Sequence, residues 1–211
     1  MDLDRHHAAG AEHVRQQHRA EMNVAPGVSL VGFAGRITRD KGIIELLDAL
    51  AMLRDQGLNA ELALVGEDEG IAELPARTQE LLAECWVHSS GAVPDASGYI
   101  AAFDVLCLPS YREGLPTVVL EAMASGVPVV GSAATGTTDL IEHGRTGLLV
   151  PIGDAAALAG ALCSMLRDPG CRQRTTVNAR EHVAAFAELP MWRRHRTHYR
   201  ALLRLTSRHD S

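Results

Sequence analysis

The chain has 211 residues, with 20 Lys and Arg against 26 Asp and Glu, for a formal net charge of −6. That balance supplies no overall basic field for nucleic acid, and aromatic residues at 4% leave few rings for base stacking, so a nucleic-acid partner is not expected. Hydrophobic residues at 46% and charged residues at 22% exclude disorder as the main state and suit one domain of about 150–200 residues with short appendages.

Residues 1–27 are polar, carry His6, His7, His13 and His18, and could be helical but offer little apolar face, which predicts a leader or the remnant of an interdomain segment whose histidines are solvated or disordered. From Val28 to Ala34 an apolar run ends in glycine, as a strand buried on both faces does. A helix over Gly42 to Gln56 follows, with Ile43, Leu46, Leu47, Leu50 and Leu53 at helical spacing and Gly57 as its stop. The alternation continues with a strand over Glu61 to Gly66, a helix over Ile71 to Glu84, and a strand from Cys85 ending near Gly91. Next come a short helix around Ala96 to Ala102, a strand over Asp104 to Pro109, a helix over Pro116 to Ser125 and a strand over Val127 to Gly131. A helix at Thr137 to His143 and a strand over Gly147 to Val150 complete the pattern, with further helices over Asp154 to Arg167, Cys171 to Phe186 and Met191 to about Leu205. Six strands alternating with helices predict an α/β fold: one Rossmann-like domain over residues 28–189, with a six-stranded parallel sheet covered by helices on both faces.

Ligands of such sheets bind beyond the carboxyl ends of the strands, and the loops there hold most of the chemistry-bearing residues. Gly35 and Arg36 follow the first strand and Lys41 precedes a helix start, which places two permanent cations on one short loop and suits a diphosphate. The loop has neither GxGxxG spacing nor a Walker-type lysine, which disfavours nicotinamide cofactors and P-loop chemistry. After the fourth strand, Glu113-Gly114-Leu115-Pro116-Thr117-Val118 leads into a helix that also carries Glu121. Pro116 suits a first helical turn, leaving the N–H groups of Thr117 and Val118 free for an anion. Glu121 lies one turn further along, where a carboxylate accepts hydrogen bonds from vicinal hydroxyls, and Glu113 can reach a second polyol. A polyol with a diphosphate describes a nucleotide sugar. The expectation is that both cations and the helix start converge on one pocket.

In ordered combination these residues resemble the C-terminal, donor-binding half of glycosyltransferase family 4, the retaining enzymes with two Rossmann domains. The resemblance runs from about Val28 to Val150 through Gly35-Arg36, Lys41-Gly42, Val65-Gly66, Gly91 with Val93-Pro94, Asp104-Val105, Pro109-Ser110, Glu113 with Glu121, Gly126 to Val130, and Gly147 to Leu149. It implies that Arg36 and Lys41 hold the donor diphosphate, Thr117 and Val118 offer it backbone N–H groups, Glu121 binds ribose hydroxyls, Glu113 contacts the transferred sugar, and the stretch around Val93 frames the base. The implied activity is metal-independent, retaining transfer of a hexosyl unit from a UDP- or GDP-type donor, with no further cofactor. A non-catalytic nucleotide-sugar-binding module and a nucleotide-sugar epimerase are the alternatives. Thr135-Gly136-Thr137-Thr138-Asp139 departs from the family's Gly-Gly-x-Pro-Glu, and the resemblance implies a separate N-terminal acceptor domain as partner.

The residues after 189 predict a basic amphipathic helix, with Met191, Trp192, Tyr199, Leu202 and Leu203 as a stripe and Arg193, Arg194, Arg196, Arg200 and Arg204 around it. A solvated face is the preferred reading, and weak peripheral contact with an anionic membrane surface is its alternative. Apolar stretches such as Val127 to Ala134 fall short of the roughly 20 residues of a span, so the expected location is cytoplasmic, peripheral at most to the inner membrane face. Cys85, Cys107, Cys163 and Cys171 show no CxxC spacing and read as reduced core thiols rather than disulfide or metal ligands.

Overall fold

The structure is a computed structural model that describes residues 12–186. Six parallel strands form one sheet: β1 (Ser29–Ala34), β2 (Ala60–Val65), β3 (Val87–Gly91), β4 (Val105–Leu108), β5 (Val129–Ser132) and β6 (Leu148–Val150). Their order is β3-β2-β1-β4-β5-β6, so the winding reverses between β1 and β4. That reversal opens a crevice beyond the carboxyl ends of those two strands.

The helices are α1 (Glu12–Glu21), α2 (Ile43–Asp55), α3 (Ala76–Leu82), α4 (Ser97–Ala102), α5 (Thr117–Ser125), α6 (Ala155–Arg167) and α7 (Pro169–Val183). Helix α2 packs on α3 and α6, while α4 touches α1 and α5, and α5 touches α7. The two groups cover the sheet, whose β4 and β5 are buried along their whole length. The core holds Leu30, Phe33, Leu46, Leu50, Leu62, Leu64, Ile100 and Phe103, each under 2% exposed. The predicted α/β fold is thus the observed one. Among the described residues no helix is long and apolar enough to cross a membrane.

Four expectations change. The solvated leader is, from Glu12 to Glu21, a helix docked against α4. It has no buried residue of its own; Arg15 and Arg19 hold it by donating to the carbonyls of Ala101, Ala102, Phe103 and Val28 and to the carboxylate of Asp104. Met22 and Val24 then join the core. The helix expected over Ile71 to Glu84 is split by Pro75 into a one-turn 3-10 segment, Ile71–Glu73, and α3, because proline disfavours helical geometry in the residue before it. No helix forms at Thr137 to His143; consecutive turns there close on the Ala134 and Thr137 carbonyls. Finally, Cys85 is exposed, whereas Cys107 is buried and burial pushes its thiol far up. The predicted basic helix after residue 189, with His195 and His198, lies outside the described residues.

Asp154 and Asp168 explain where the last helices begin. Asp154 accepts from the Ala157 amide at 2.8 Å, and Asp168 from the Gly170 and Cys171 amides at 2.8 and 3.0 Å. Each satisfies amides that a helix start leaves open. Helix α7 accordingly starts at Pro169 rather than Cys171, with proline in the first turn.

Candidate functional site

Four loops meet beyond the carboxyl ends of β1, β2, β4 and β5, and close backbone approaches lock them together. Gly66 sits so tightly under the loop after β1 that a Cβ there would lie 1.9 Å from the Gly35 carbonyl oxygen. Gly42 closes the 3-10 turn Arg39–Lys41 in left-handed conformation, φ 72°, and its Cβ position lies 2.2 Å from the Pro109 carbonyl oxygen. Glycine is required at both places, since a side chain would strike backbone that cannot yield. The Tyr111 amide donates to the Asp40 carbonyl at 2.9 Å and the Glu113 amide to the Thr135 carbonyl at 3.2 Å. The loops after β1, β4 and β5 are thereby one unit.

On this frame Lys41 and Glu113 meet. Lys41 Nζ lies 2.8 Å from Glu113 Oε1, and the side chains are only 15% and 12% exposed. A pair this poorly solvated holds its geometry against water better than a surface pair does. Directly after Glu113 the chain passes through exposed Gly114 and Leu115, the latter 59% exposed, and then buried Pro116. Pro116 is the residue that caps α5 rather than its first turn, with φ −74° and ψ 90°. The Val119 amide donates to the Pro116 carbonyl, whereas the amides of Thr117 and Val118 have no acceptor among the described residues. Thr117 is exposed and Val118 half-buried, so this helix end opens outward.

Glu121 lies on α5 between buried Leu120 and Ala122, is itself partly exposed, and its carboxylate has no hydrogen bond or ion pair among the described residues. Val93, half-buried on the loop after β3, packs against the core beside Gly91, whose carbonyl accepts from the Gly66 amide at 2.9 Å.

Arg36 and Lys41 pair with different carboxylates: Nη1 of Arg36 lies 2.7 Å from Oε2 of Glu69 on the loop after β2. The hydrogen bond to Glu69 raises the guanidinium pKa first, and the fields of Asp40 and Glu113 add to it. Arg36 therefore still senses the Lys41–Glu113 side of the site. The two cations of one loop are thus divided between two carboxylates, a consequence of which loops are neighbours rather than of spacing.

Three residues with no expected role line the same region. Asp40 is held low first by the Thr38 hydroxyl, which donates to it at 2.5 Å. Tyr111 donates its hydroxyl to Glu45 Oε1 at 2.6 Å, which raises the phenol pKa. With Arg39, Glu69, Glu73 and Leu74, Asp40 and Tyr111 border a cleft of about 540 Å³. Only its position after a parallel strand marks Glu69 in the sequence, within Glu67-Asp68-Glu69-Gly70. Among the described residues no group of three or more His, Cys, Asp and Glu is arranged to hold a metal ion.

This geometry has relatives. The family model of glycosyl transferases group 1 matches residues 28–168. A D-inositol 3-phosphate glycosyltransferase of Pseudarthrobacter chlorophenolicus is 36% identical over 166 residues, 75% of this chain and 39% of that protein. The capsular polysaccharide biosynthesis glycosyltransferase CapM of Staphylococcus aureus is 29% identical over 177 residues, 83% of this chain and 47% of CapM. Among solved structures, Anabaena HepE in complex with UDP and glucose superposes with a TM-score of 0.75 at 27% identity, over 82% of this chain and 48% of HepE. The chain spans less than half the length of these relatives. With its family model covering both the cation loop and the Glu113–Glu121 segment, the chain belongs to the glycosyl transferases group 1 family.

Proposed function

We propose that this chain is the donor-binding half of a retaining, metal-independent glycosyltransferase, holding a nucleotide-diphosphate sugar of UDP or GDP type for hexosyl transfer. The observation that carries the reading is the Lys41–Glu113 pair set beside the open start of α5 at the sheet's switch point. HepE, whose structure contains UDP and glucose, supports a UDP-type donor by likeness.

In this reading the diphosphate approaches the Thr117 and Val118 amides, and Lys41 turns from its carboxylate partner toward the phosphate. Lys41, Arg36 and the helix end then oppose the charge that builds on the leaving phosphate, which is electrostatic stabilisation of the transition state. Glu113, released from Lys41, positions a sugar hydroxyl, and Glu121 accepts from the ribose hydroxyls. The acceptor, and the protein surface that binds it, come from a separate domain or subunit.

Titration calorimetry with UDP and GDP on the 211-residue chain tests the donor site. Lys41→Ala should weaken binding about tenfold or more, the worth of one charge-assisted contact, and Arg36→Ala should weaken it as well. Unchanged affinity in both variants removes the phosphate assignment. Product assays with and without a co-expressed acceptor domain separate transfer from binding alone.

A further inference from the structure

Glu69 has no part in the donor site as the sequence presents it, yet it holds one of that site's two cations. Its position is built by the backbone. The Ile37 amide donates to the Glu67 carbonyl at 2.8 Å, and the Glu69 amide returns to the Ile37 carbonyl at 3.3 Å. Ile37 and Asp68 form a parallel bridge. The Asp68 carboxylate accepts from the Gly70 and Ile71 amides at 3.0 and 2.8 Å, closing the turn that carries Glu69. The loop with Glu69 is therefore clamped to the loop with Arg36, and the carboxylate is presented to the guanidinium rather than reaching it on a freely moving side chain.

The pair itself is weakly held. Arg36 is 59% exposed and Glu69 36%, which puts the contact among surface ion pairs that exchange readily. A diphosphate offers the guanidinium fork a bidentate acceptor with two charges against the single charge of a carboxylate, and so displaces it.

We propose that Glu69 is a specificity-determining residue: it occupies Arg36 as a stand-in for phosphate, yields it to an incoming diphosphate, and then, as a free carboxylate at the rim, penalises ligands by their excess negative charge. The inference rests on the nucleotide-sugar reading above. The direction follows from charge. With its terminal phosphate esterified by the sugar, the donor's diphosphate carries two charges. The nucleoside diphosphate left after transfer gains a further ionisation, because a phosphate monoester loses its second proton at a pH of about 6. Glu69 therefore opposes the product more than the donor and favours product release.

The test is calorimetry on the whole chain with UDP and UDP-glucose as probes, comparing wild type, Glu69→Gln and Glu69→Asp at fixed salt. Glu69→Gln should tighten UDP about fivefold and UDP-glucose about twofold, the range a surface ion pair spans. Glu69→Asp should keep the wild-type ratio of the two affinities. A scaffolding role would weaken both ligands together and leave that ratio unmoved, which overturns the proposal, as does equal tightening of the two or no change in UDP. Circular dichroism confirms that the near-isosteric variants are folded. If wild type binds neither probe, the nucleotide-sugar reading fails and the role of Glu69 falls with it. If wild type binds both and Arg36→Ala weakens them while Glu69→Gln changes nothing, Glu69 alone is refuted.

Discussion

Replacing Asp104 should loosen the first helix and the central strand together, because one carboxylate serves both. Asp104 Oδ2 accepts from the Leu30 amide at 2.7 Å and from Arg19 at 3.2 Å, while Oδ1 accepts from Arg15 at 2.5 Å. The carboxylate is 25% exposed, Arg15 25% and Arg19 14%, so water screens the pairs only in part. Leu30 is fully buried in β1, and Asp104→Ala would leave its amide without an acceptor, at about 1–3 kcal/mol. The two arginine pairs add roughly 0.5–1 kcal/mol each, since both guanidiniums keep carbonyl acceptors. The total is about 3 kcal/mol. Asp104→Asn keeps an acceptor for Leu30 and loses only the charge, so it should cost about 1–2 kcal/mol. Equilibrium unfolding in urea reads both: with a slope of about 2 kcal/mol/M, the alanine variant's midpoint falls by roughly 1.5 M and the asparagine variant's by about half that. Midpoints of both variants within about 0.3 M of wild type would refute the argument.

Two further outcomes follow from the packing. Gly32 lies in β1 where an added Cβ would stand 2.0–2.2 Å from the ring of Phe103, which is 1% exposed. Gly32→Ala should therefore cost about 3 kcal/mol, yet add under about 1 kcal/mol in a Phe103→Ala background; a full additive cost in the double variant would show that the ring is not the obstacle. The Tyr111 hydroxyl, its pKa raised first by the hydrogen bond to Glu45, contributes stability that is complete below the ordinary phenol pKa of about 10 and is lost as pH rises through the higher folded value. Phenolate absorbance, differenced against Tyr111→Phe, should place Tyr111 above an ordinary tyrosine, and Glu45→Gln should bring it down. A Tyr111 that titrates like an ordinary tyrosine would refute the hydrogen bond.

Strands and helices were largely legible because both are written in local periodicity. The continuous apolar runs at 30–34, 62–65 and 105–108 each became a buried strand, and the stripe of Ile43, Leu46, Leu47, Leu50 and Leu53 became the inner face of α2. The site was legible in part. Loops after parallel strands are its expected place; Lys41 and Glu113 meet from two such loops, and Thr117 opens the helix that follows Glu113. The α1 helix was not legible as part of the domain, since arginines gripping backbone carbonyls leave no apolar stripe to read.

By itself, then, the sequence determined the α/β alternation, the buried strands, and the stations along the chain where polar chemistry gathers, since these depend on residues a few positions apart. Tertiary structure alone decided which charges meet. Arg36 finds Glu69 across 33 residues, Lys41 finds Glu113 across 72, and Arg15 finds Asp104 across 89. The first two partnerships follow from the β3-β2-β1-β4-β5-β6 order, which brings the loop after β1 between the loops after β2 and β4, and the third from the docking of α1 beside the start of β4. An ion pair acts over a few ångströms of space, whatever the length of chain between its partners.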